Sequence, residues 1–144
     1  MKKPVNINNR KARFDFEFIR TLTAGIQLMG SEVKSIKDNR VSFVDSYCYF
    51  KDKELFLKNL NVTPISAIYT HEPARERKLL LNRKELKKLE SDMDKGMTIV
   101  PFRIFTNEKG LIKIDIALAK GKRTFNKRAS IKEKDIDRDT KRSI

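Results

Sequence analysis

The sequence predicts a mainly β fold, a small closed or nearly closed antiparallel barrel with about three flanking helices and a disordered basic C-terminal tail. Three observations predict it. Short segments alternate apolar and polar residues with a period of two, a capped helical segment separates two groups of them, and Gly and Pro interrupt strands at positions typical of bulges. With 144 residues, the chain has room for one domain and no second core.

The N-terminal segment is predicted to be a flexible basic arm followed by a strand. Residues 1–12 carry basic side chains and no acidic one, and such a segment is typically unstructured. Phe14, Phe16 and Phe18 alternate with acidic residues, which indicates a half-buried strand. Gly25 interrupts the apolar run that follows, so we expect a bend or bulge there.

A short helix and a hairpin are predicted next. Ser31 suits the N-cap position of the helix, with Glu32 in its first turn. Alternation across residues 43–50 indicates a strand, and a charged turn connects it to a second strand over residues 55–60. Residues 62–73 are predicted to form a loop.

The longest predicted helix begins after that loop. Asn82 and Glu85 have the spacing of a capping box, which marks its start. Leu86 and Leu89 lie along one face of the helix, and Gly96 is expected to end it.

Two strands and a basic tail complete the chain. Alternation predicts strands over residues 97–105 and 112–118, and Pro101 places the first of them at an edge or a bulge. Residues 120–144 hold many basic side chains and few apolar ones. Because such a segment cannot stabilise itself by packing, we expect it to stay disordered until a partner orders it.

Net charge is the strongest functional signal. Thirty-three Lys and Arg residues outnumber nineteen Asp and Glu residues, which gives a formal charge of +14. A field of this sign concentrates polyanions and speeds their association. We therefore expect a nucleic acid partner, and the OB-type barrel is the small barrel most often used to bind RNA.

Catalysis, a metal site and a cofactor are not expected. With one Cys and one His, a zinc site built on two or more such ligands is excluded. Cys48 lies in an alternating strand, where a buried inert thiol is expected, and His71 has no nucleophilic partner nearby in sequence. The lone cysteine and the absence of a signal peptide or a long apolar run favour a cytoplasmic protein, and nothing demands more than a monomer.

Six motifs along the chain resemble those of one family, the SsrA-binding proteins, also called small protein B. They occur in the family's order and at its spacing, at residues 9–12, 25–35, 45–47, 71–81, 96–101 and 118–123. The resemblance implies an OB-fold barrel that binds the tRNA-like part of transfer-messenger RNA. It also implies delivery of that RNA to stalled ribosomes for trans-translation, which rescues the ribosome and tags the incomplete polypeptide.

The resemblance further implies three segments with different tasks. Residues 1–12 would form the flexible arm and residues 13–128 the RNA-binding barrel. Residues 129–144 would form a tail that is disordered when free and helical on the ribosome, where it would probe the empty mRNA channel and the decoding centre. Phe125 and Asn126 depart from the family pattern, which has His or Tyr followed by Asp at these positions.

Two sets of site residues follow from the resemblance. The expected RNA-binding set is Asn9, Arg10, Lys11, Gly30, Ser31, Glu32, Lys34, Arg75, Arg77, Lys78, Lys120, Gly121, Lys122 and Arg123. The expected ribosome-contacting set is Phe125, Lys127, Arg128, Lys132, Lys134, Arg138, Lys141 and Arg142. Glu32 would either hydrogen-bond a base edge or orient a neighbouring Lys or Arg, whereas the cations would hold phosphates and sugars.

Two other functions remain open at this point. A general OB-fold RNA-binding or ribosome-associated protein would bind RNA with little structural preference. A nuclease or RNA-modifying enzyme would need a base, for which His71 is the candidate.

Overall fold

The computed structural model describes residues 4–68 and 70–121 and confirms the mainly β fold with three helices. The predictions for the tail, including its disorder and its helix on the ribosome, lie outside the described residues. So do Lys122, Arg123 and the whole ribosome-contacting set. Among the described residues, no helix is long and apolar enough to cross a membrane.

Strands and helices follow one another along the chain as short elements. The helices are α1 Arg10–Asp15, α2 Gly30–Lys37 and α3 Arg83–Asp92. The strands are β1 Asn6–Asn8, β2 Phe16–Ile26, β3 Val41–Ser42, β4 Tyr47–Lys51, β5 Glu54–Lys58, β6 Asn61–Val62, β7 Arg77–Leu80, β8 Met97–Thr106 and β9 Ile112–Gly121.

The main sheet closes on itself, as the predicted barrel requires. Its strands pair antiparallel in the order β1-β8-β4-β5-β7-β2-β9, and β9 pairs back to β8. Six strands of the described chain therefore form a closed ring, which leaves few unpaired edges. β1 lies outside the ring, along the C-terminal half of β8, and β3 and β6 form a separate small sheet.

Bulges in β2 and β8 divide the apolar residues between two clusters. The register shifts between Phe18 and Arg20 in β2, and between Pro101 and Arg103 in β8. Because side chains alternate along a strand, each bulge inverts the faces beyond it. Phe16 and Phe18 consequently pack in a small cluster with Phe102, whereas later residues of β2, such as Ala24, lie in the main core. The expected bulge at Pro101 is confirmed.

A bend or bulge was expected at Gly25, but the strand pairing is regular at this residue. The bulge in β2 lies several residues earlier, and Gly25 pairs regularly with Leu80 of β7. A Cβ atom on Gly25 would lie 3.2 Å from Leu80 Cβ, so glycine permits the close approach of the two strands.

The N-terminal segment is more ordered than the predicted flexible arm. β1 pairs with β8, and Val5 is buried in the core. Asn9 then caps α1, because its Oδ1 accepts a hydrogen bond from the Ala12 amide at 3.3 Å, while its Nδ2 donates to the Pro101 carbonyl at 3.0 Å. The basic composition of this segment gives no indication of its order, because the contact that holds Asn9 is with a residue about ninety positions away. Phe14, predicted in a strand, lies in α1 and is exposed.

Several elements differ from the predictions in their bounds or in their presence. The N-cap of α2 is Met29, not Ser31, although Glu32 does occupy the first turn. β7 was not predicted, because four residues beginning with Arg77 give no apolar alternation. The capping box at Asn82 is confirmed, but α3 ends at Asp92, and Gly96 serves the turn before β8 with φ +86°.

Replacing Asn9 tests whether the N-terminal segment is held as described. We expect Asn9→Ala to lower the free energy of unfolding by about 1–2 kcal/mol, because it removes an N-cap acceptor and the bond to Pro101. Urea denaturation measures the change. The matched control is Asn8→Ala, whose exposed side chain has no hydrogen bond among the described residues. Equal free energies of unfolding for the two variants would instead support the prediction of a flexible arm.

Candidate nucleic-acid interface

The described members of the expected RNA-binding set fall into two groups at opposite ends of β2. The α1 group, near the start of β2, comprises Asn9, Arg10, Lys11, Lys120 and Gly121. The α2–β7 group, near its end, comprises Gly30, Ser31, Glu32, Lys34, Arg75, Arg77 and Lys78. β2 has eleven residues, so the groups are separated by roughly 30 Å along the strand.

The α1 group assembles through strand pairing. Lys120 and Gly121, at the end of β9, pair with the first residues of β2, immediately after α1. Lys120, Arg10 and Lys11 are all exposed. Because α1 is short, it places Arg10 and Lys11 beside this end of the sheet without enclosing them. The three cations therefore present a positive surface that phosphates can reach.

A cleft of about 550 Å³ lies beside the α1 group. Its lining residues are Asn8, Asn9, Arg10, Lys11, Ala12, Asp15, Phe16, Phe43, Val44, Asp45, Ser46, Tyr47, Thr98 and Val100. Residues 43–47, which line one part of this cleft, are absent from the expected RNA-binding set, although residues 45–47 form one of the six family motifs. The feature that marks this surface is the apolar residue Val44, which is 71% exposed. Its exposure could not be predicted, because the alternating pattern of these residues resembles that of a half-buried strand.

The α2–β7 group is organised by one buried carboxylate. Glu32 is fully buried, and its two oxygens accept hydrogen bonds from Arg75 Nη2 at 2.6 Å and from Arg77 Nε at 2.8 Å. The Met29 amide donates to the same carboxylate at 2.7 Å. The carboxylate thus joins the start of α2 to the residues that precede and begin β7.

Arg77 is held on every side by the protein. Its side chain is 0% exposed, and Nη1 donates to the carbonyls of Leu60 and Arg75 at 2.8 and 2.9 Å. Nη2 lies 2.6 Å from Glu32 Oε2 and donates to the Pro73 carbonyl at 3.1 Å. Such a fully hydrogen-bonded pair is the arrangement in which buried charges are tolerated.

The charges of this cluster shift one another's pKa values. Burial alone would raise the pKa of Glu32, but the hydrogen bonds from Arg75 and the Met29 amide, with the charge of Arg77, outweigh it and lower that pKa. Burial lowers the pKa of Arg77, against the opposing charge of Glu32, whereas the hydrogen bond to Glu32 raises that of Arg75. The cluster carries two guanidiniums and one carboxylate, so its net charge is positive.

Two residues of the expected RNA-binding set, Ser31 and Arg77, are buried and so are not accessible to RNA. Arg77 cannot reach a phosphate, because water and ligands are excluded from it. Ser31 is also buried, and its hydroxyl lies 2.8 Å from His71 Nδ1. His71 Nε2 donates to the Val62 carbonyl at 2.7 Å, because a carbonyl oxygen can only accept. The geometry gives Glu32 the second of its two expected roles, orienting an arginine.

The remaining members of this group are accessible. Arg75 is 33% exposed, and its hydrogen bonds to Glu32 use Nε and Nη2. Among the described residues, Arg75 Nη1 has no hydrogen bond. Gly30 and Lys34 are exposed, and Lys78 is half-exposed with Glu54 at 3.6 Å. This end of β2 therefore also presents cations to solvent.

The candidate catalytic groups are occupied or buried. Both ring nitrogens of His71 are hydrogen-bonded, as described above. Cys48 is buried, and burial strongly raises the pKa of its thiol, which disfavours the nucleophilic thiolate. Within the described ranges, no group of three or more His, Cys, Asp or Glu residues is arranged to hold a metal ion.

Replacing Glu32 tests the buried cluster. We expect Glu32→Gln to lower the free energy of unfolding near neutral pH by roughly 3–5 kcal/mol, because it leaves a buried guanidinium unpaired. Since folding lowers the pKa of Glu32, its stabilisation is present above its unfolded value of 4.5 and is lost as pH falls through the folded pKa. The difference between wild type and variant should therefore shrink below about pH 4.5.

Urea denaturation across the acid range provides the measurement. Glu17→Gln is the matched control, because Glu17 is exposed and has no ion pair among the described residues. We expect the control to stay within about 0.5 kcal/mol of wild type. A Glu32→Gln defect of the same size at every pH would contradict the charge-based account.

Comparisons with known proteins agree with this architecture along nearly the whole chain. The family model described as "SmpB protein" matches residues 6–144. The SsrA-binding protein of Phocaeicola vulgatus is 53% identical over 142 residues, covering 96% of this chain and 95% of that protein. The one from Bacteroides thetaiotaomicron is 51% identical and covers 99% of this chain and 97% of its own.

A solved structure is similar as well. A chain from the structure named "tmRNA-SmpB: a journey to the center of the bacterial ribosome" superposes with a TM-score of 0.72 at 40% identity. The similarity covers 91% of this chain and 94% of that one. Family match, relatives and fold agree, and the chain belongs to the SmpB protein family.

Proposed function

We propose that this protein binds transfer-messenger RNA and delivers it to stalled bacterial ribosomes for trans-translation. The observation that carries the proposal is the similarity, over nine-tenths of the chain, to a chain of the structure named "tmRNA-SmpB: a journey to the center of the bacterial ribosome". Curated relatives at about half identity are SsrA-binding proteins, which supports the same RNA partner. The protein would act in the cytoplasm, where ribosomes translate.

The two accessible cation groups are the proposed RNA contacts. Arg10, Lys11 and Lys120 surround one end of β2, and Arg75 and Lys78 lie at the other. Cations spread over such a distance fit a large folded RNA better than a short single strand. Each group would hold phosphates, which position the RNA without reading its sequence.

Glu32 contributes to RNA binding indirectly in this proposal. Its bidentate hold on Arg75 fixes that guanidinium before RNA arrives, so less conformational entropy is lost on binding. Arg77 serves by keeping Glu32 charged and in place. Gly30 lies at the exposed start of α2, where the absence of a side chain leaves room for an RNA backbone.

The protein is proposed to be a binding protein and not an enzyme. The burial of Cys48, His71 and the Ser31 hydroxyl bonded to His71 supports this, because a substrate has little access to any of them. No cofactor is needed for a role that consists of binding and positioning RNA. The nuclease hypothesis would be revived by RNA cleavage that is lost in His71→Ala.

Salt dependence tests the proposed phosphate contacts. We expect tight binding to the tRNA-like domain of transfer-messenger RNA that weakens steeply as salt rises. The double variant Arg10→Gln/Lys11→Gln should make the slope of log K against log salt shallower by about 1.4–1.8, because two counterion-releasing contacts are lost. Filter binding across a salt series gives the slope.

The control for this test removes the same charge elsewhere. Lys95→Gln/Lys109→Gln replaces two exposed cations outside both groups, and its slope should match wild type. A single-stranded RNA of equal length should compete poorly with the tRNA-like domain. Equal competition by the two RNAs would favour the general OB-fold alternative. Equal slopes for the two double variants would show that the α1 group does not contact the RNA.

Deleting residues 129–144 tests the proposed division between barrel and tail. We expect the shortened protein to bind the tRNA-like domain nearly as tightly as wild type, because the proposed contacts lie in the barrel. Tagging of incomplete polypeptides on stalled ribosomes should be lost, since the tail is proposed to act in the mRNA channel. An in vitro tagging assay distinguishes the two steps, and normal tagging without the tail would contradict the proposal.

A further inference from the structure

The cleft beside α1 has two walls that are fixed before any ligand binds. On one side, Asn9 is pinned by the Pro101 carbonyl, and its own amide donates to the Phe102 carbonyl at 2.9 Å. On the other, the turn around Asp45 is held because the amide and hydroxyl of Ser46 donate to the Phe43 carbonyl at 2.9 and 2.7 Å. A cleft with rigid walls binds a ligand with little ordering cost.

The turn is fixed a third time by a distant side chain. Asn59 Nδ2 donates to the Asp45 carbonyl at 3.2 Å, and Asp45 adopts a left-handed backbone with φ +63°. This conformation is tolerated by Asp and Asn better than by most residues. The backbone of the turn is therefore set by contacts that do not use the Asp45 carboxylate.

The chemistry of the lining suits one flat, polar-edged ligand. Val44 is 71% exposed and Tyr47 is also exposed, so an apolar surface is open to solvent beside the cleft. The carboxylates of Asp15 and Asp45 have no hydrogen bond or ion pair among the described residues. Exposed Arg10 completes the site with positive charge. The apolar surface suits the face of a base, the carboxylate acceptors suit its hydrogen-bond donors, and the cation suits a phosphate, so together they match a nucleotide.

We propose that this cleft binds one unpaired guanine nucleotide of the RNA partner. The base packs on Tyr47 and Val44, its Watson–Crick edge donates to the Asp45 carboxylate, and its phosphate is held by Arg10 and Lys11. The inference rests on the proposed function in that the ligand is RNA. It deepens that function by assigning one base and one contact set.

Guanine is chosen because of hydrogen-bond complementarity. Ionised Asp45 is an acceptor only and offers two oxygens side by side. Guanine presents two adjacent donors, N1–H and the N2 amino group, on its Watson–Crick edge. Adenine and cytosine place an acceptor next to their donor, and uracil flanks its single donor with carbonyls. Each of these would direct an oxygen or nitrogen lone pair at the carboxylate.

Short RNAs test the base preference directly. The probes are fluorescein-labelled heptamers of uridine with a central guanosine, adenosine or inosine, titrated with the full-length protein at low salt and followed by anisotropy. We expect the guanosine heptamer to bind about 5- to 100-fold more tightly than the adenosine one, with inosine between them because it lacks the N2 amino group. Tyr47→Leu should weaken guanosine binding about 5- to 100-fold through lost stacking.

A matched pair of charge variants isolates the carboxylate. Asp45→Asn and Asp52→Asn make the same chemical change at exposed residues with left-handed backbone, but Asp52 does not line the cleft. Both raise the net charge by one, so Asp52→Asn should bind all three heptamers slightly better, and Asp45→Asn should bind the adenosine heptamer slightly better but the guanosine heptamer more weakly. Only Asp45→Asn should lose the preference for guanosine, and urea denaturation checks that both variants remain folded.

The outcomes separate this inference from the proposed function. Equal binding of the three heptamers, no measurable heptamer binding, or a preference that survives Asp45→Asn overturns the guanine site. Transfer-messenger RNA binding by the unchanged protein is a separate measurement. If it is retained while the heptamers show no preference, the proposed function stands and only the cleft assignment falls.

Discussion

The pairing of Glu32 with Arg77 is the interaction on which one end of the barrel depends. The two residues are 45 positions apart, and both are fully buried. Arg77 also binds the carbonyl of Leu60, just before β6, and that of Pro73, in the loop before β7, so a single guanidinium connects α2, β7 and both of these segments. Charges so far from water are stable only when every donor and acceptor is matched. The position of Arg75 therefore follows from the position of this pair.

The closed ring explains how a small protein presents cations at two distant places. β2 runs the length of the ring and pairs with β9 along most of that length, so both of its ends are rigid. α1 precedes one end and α2 follows the other. A folded RNA that contacts both groups must span the outside of the ring, whereas a short single strand would meet only one of them.

Much of the fold could be predicted from sequence, because many of its elements are determined by residues close together in the chain. The hairpin of β4 and β5, the capped start of α3 and the bulge at Pro101 depend on residues close together in the chain. β7 could not be predicted, because its inward-facing Arg77 resembles a surface residue until its partner is known. The order of the N-terminal segment was hidden for the same reason, since Asn9 bonds to a strand about ninety residues away.

Burial of Arg77 also affects how mutational surveys of this family should be interpreted. An alanine scan that scores only loss of RNA binding would rank Arg77 beside Arg75, because an unfolded barrel binds nothing. The two causes differ in their thermal melts: Arg77→Ala should melt early, whereas a variant that loses only a surface contact should melt normally. Side-chain accessibility, and not the sign of the charge, distinguishes a residue that touches the ligand from one that holds the scaffold together.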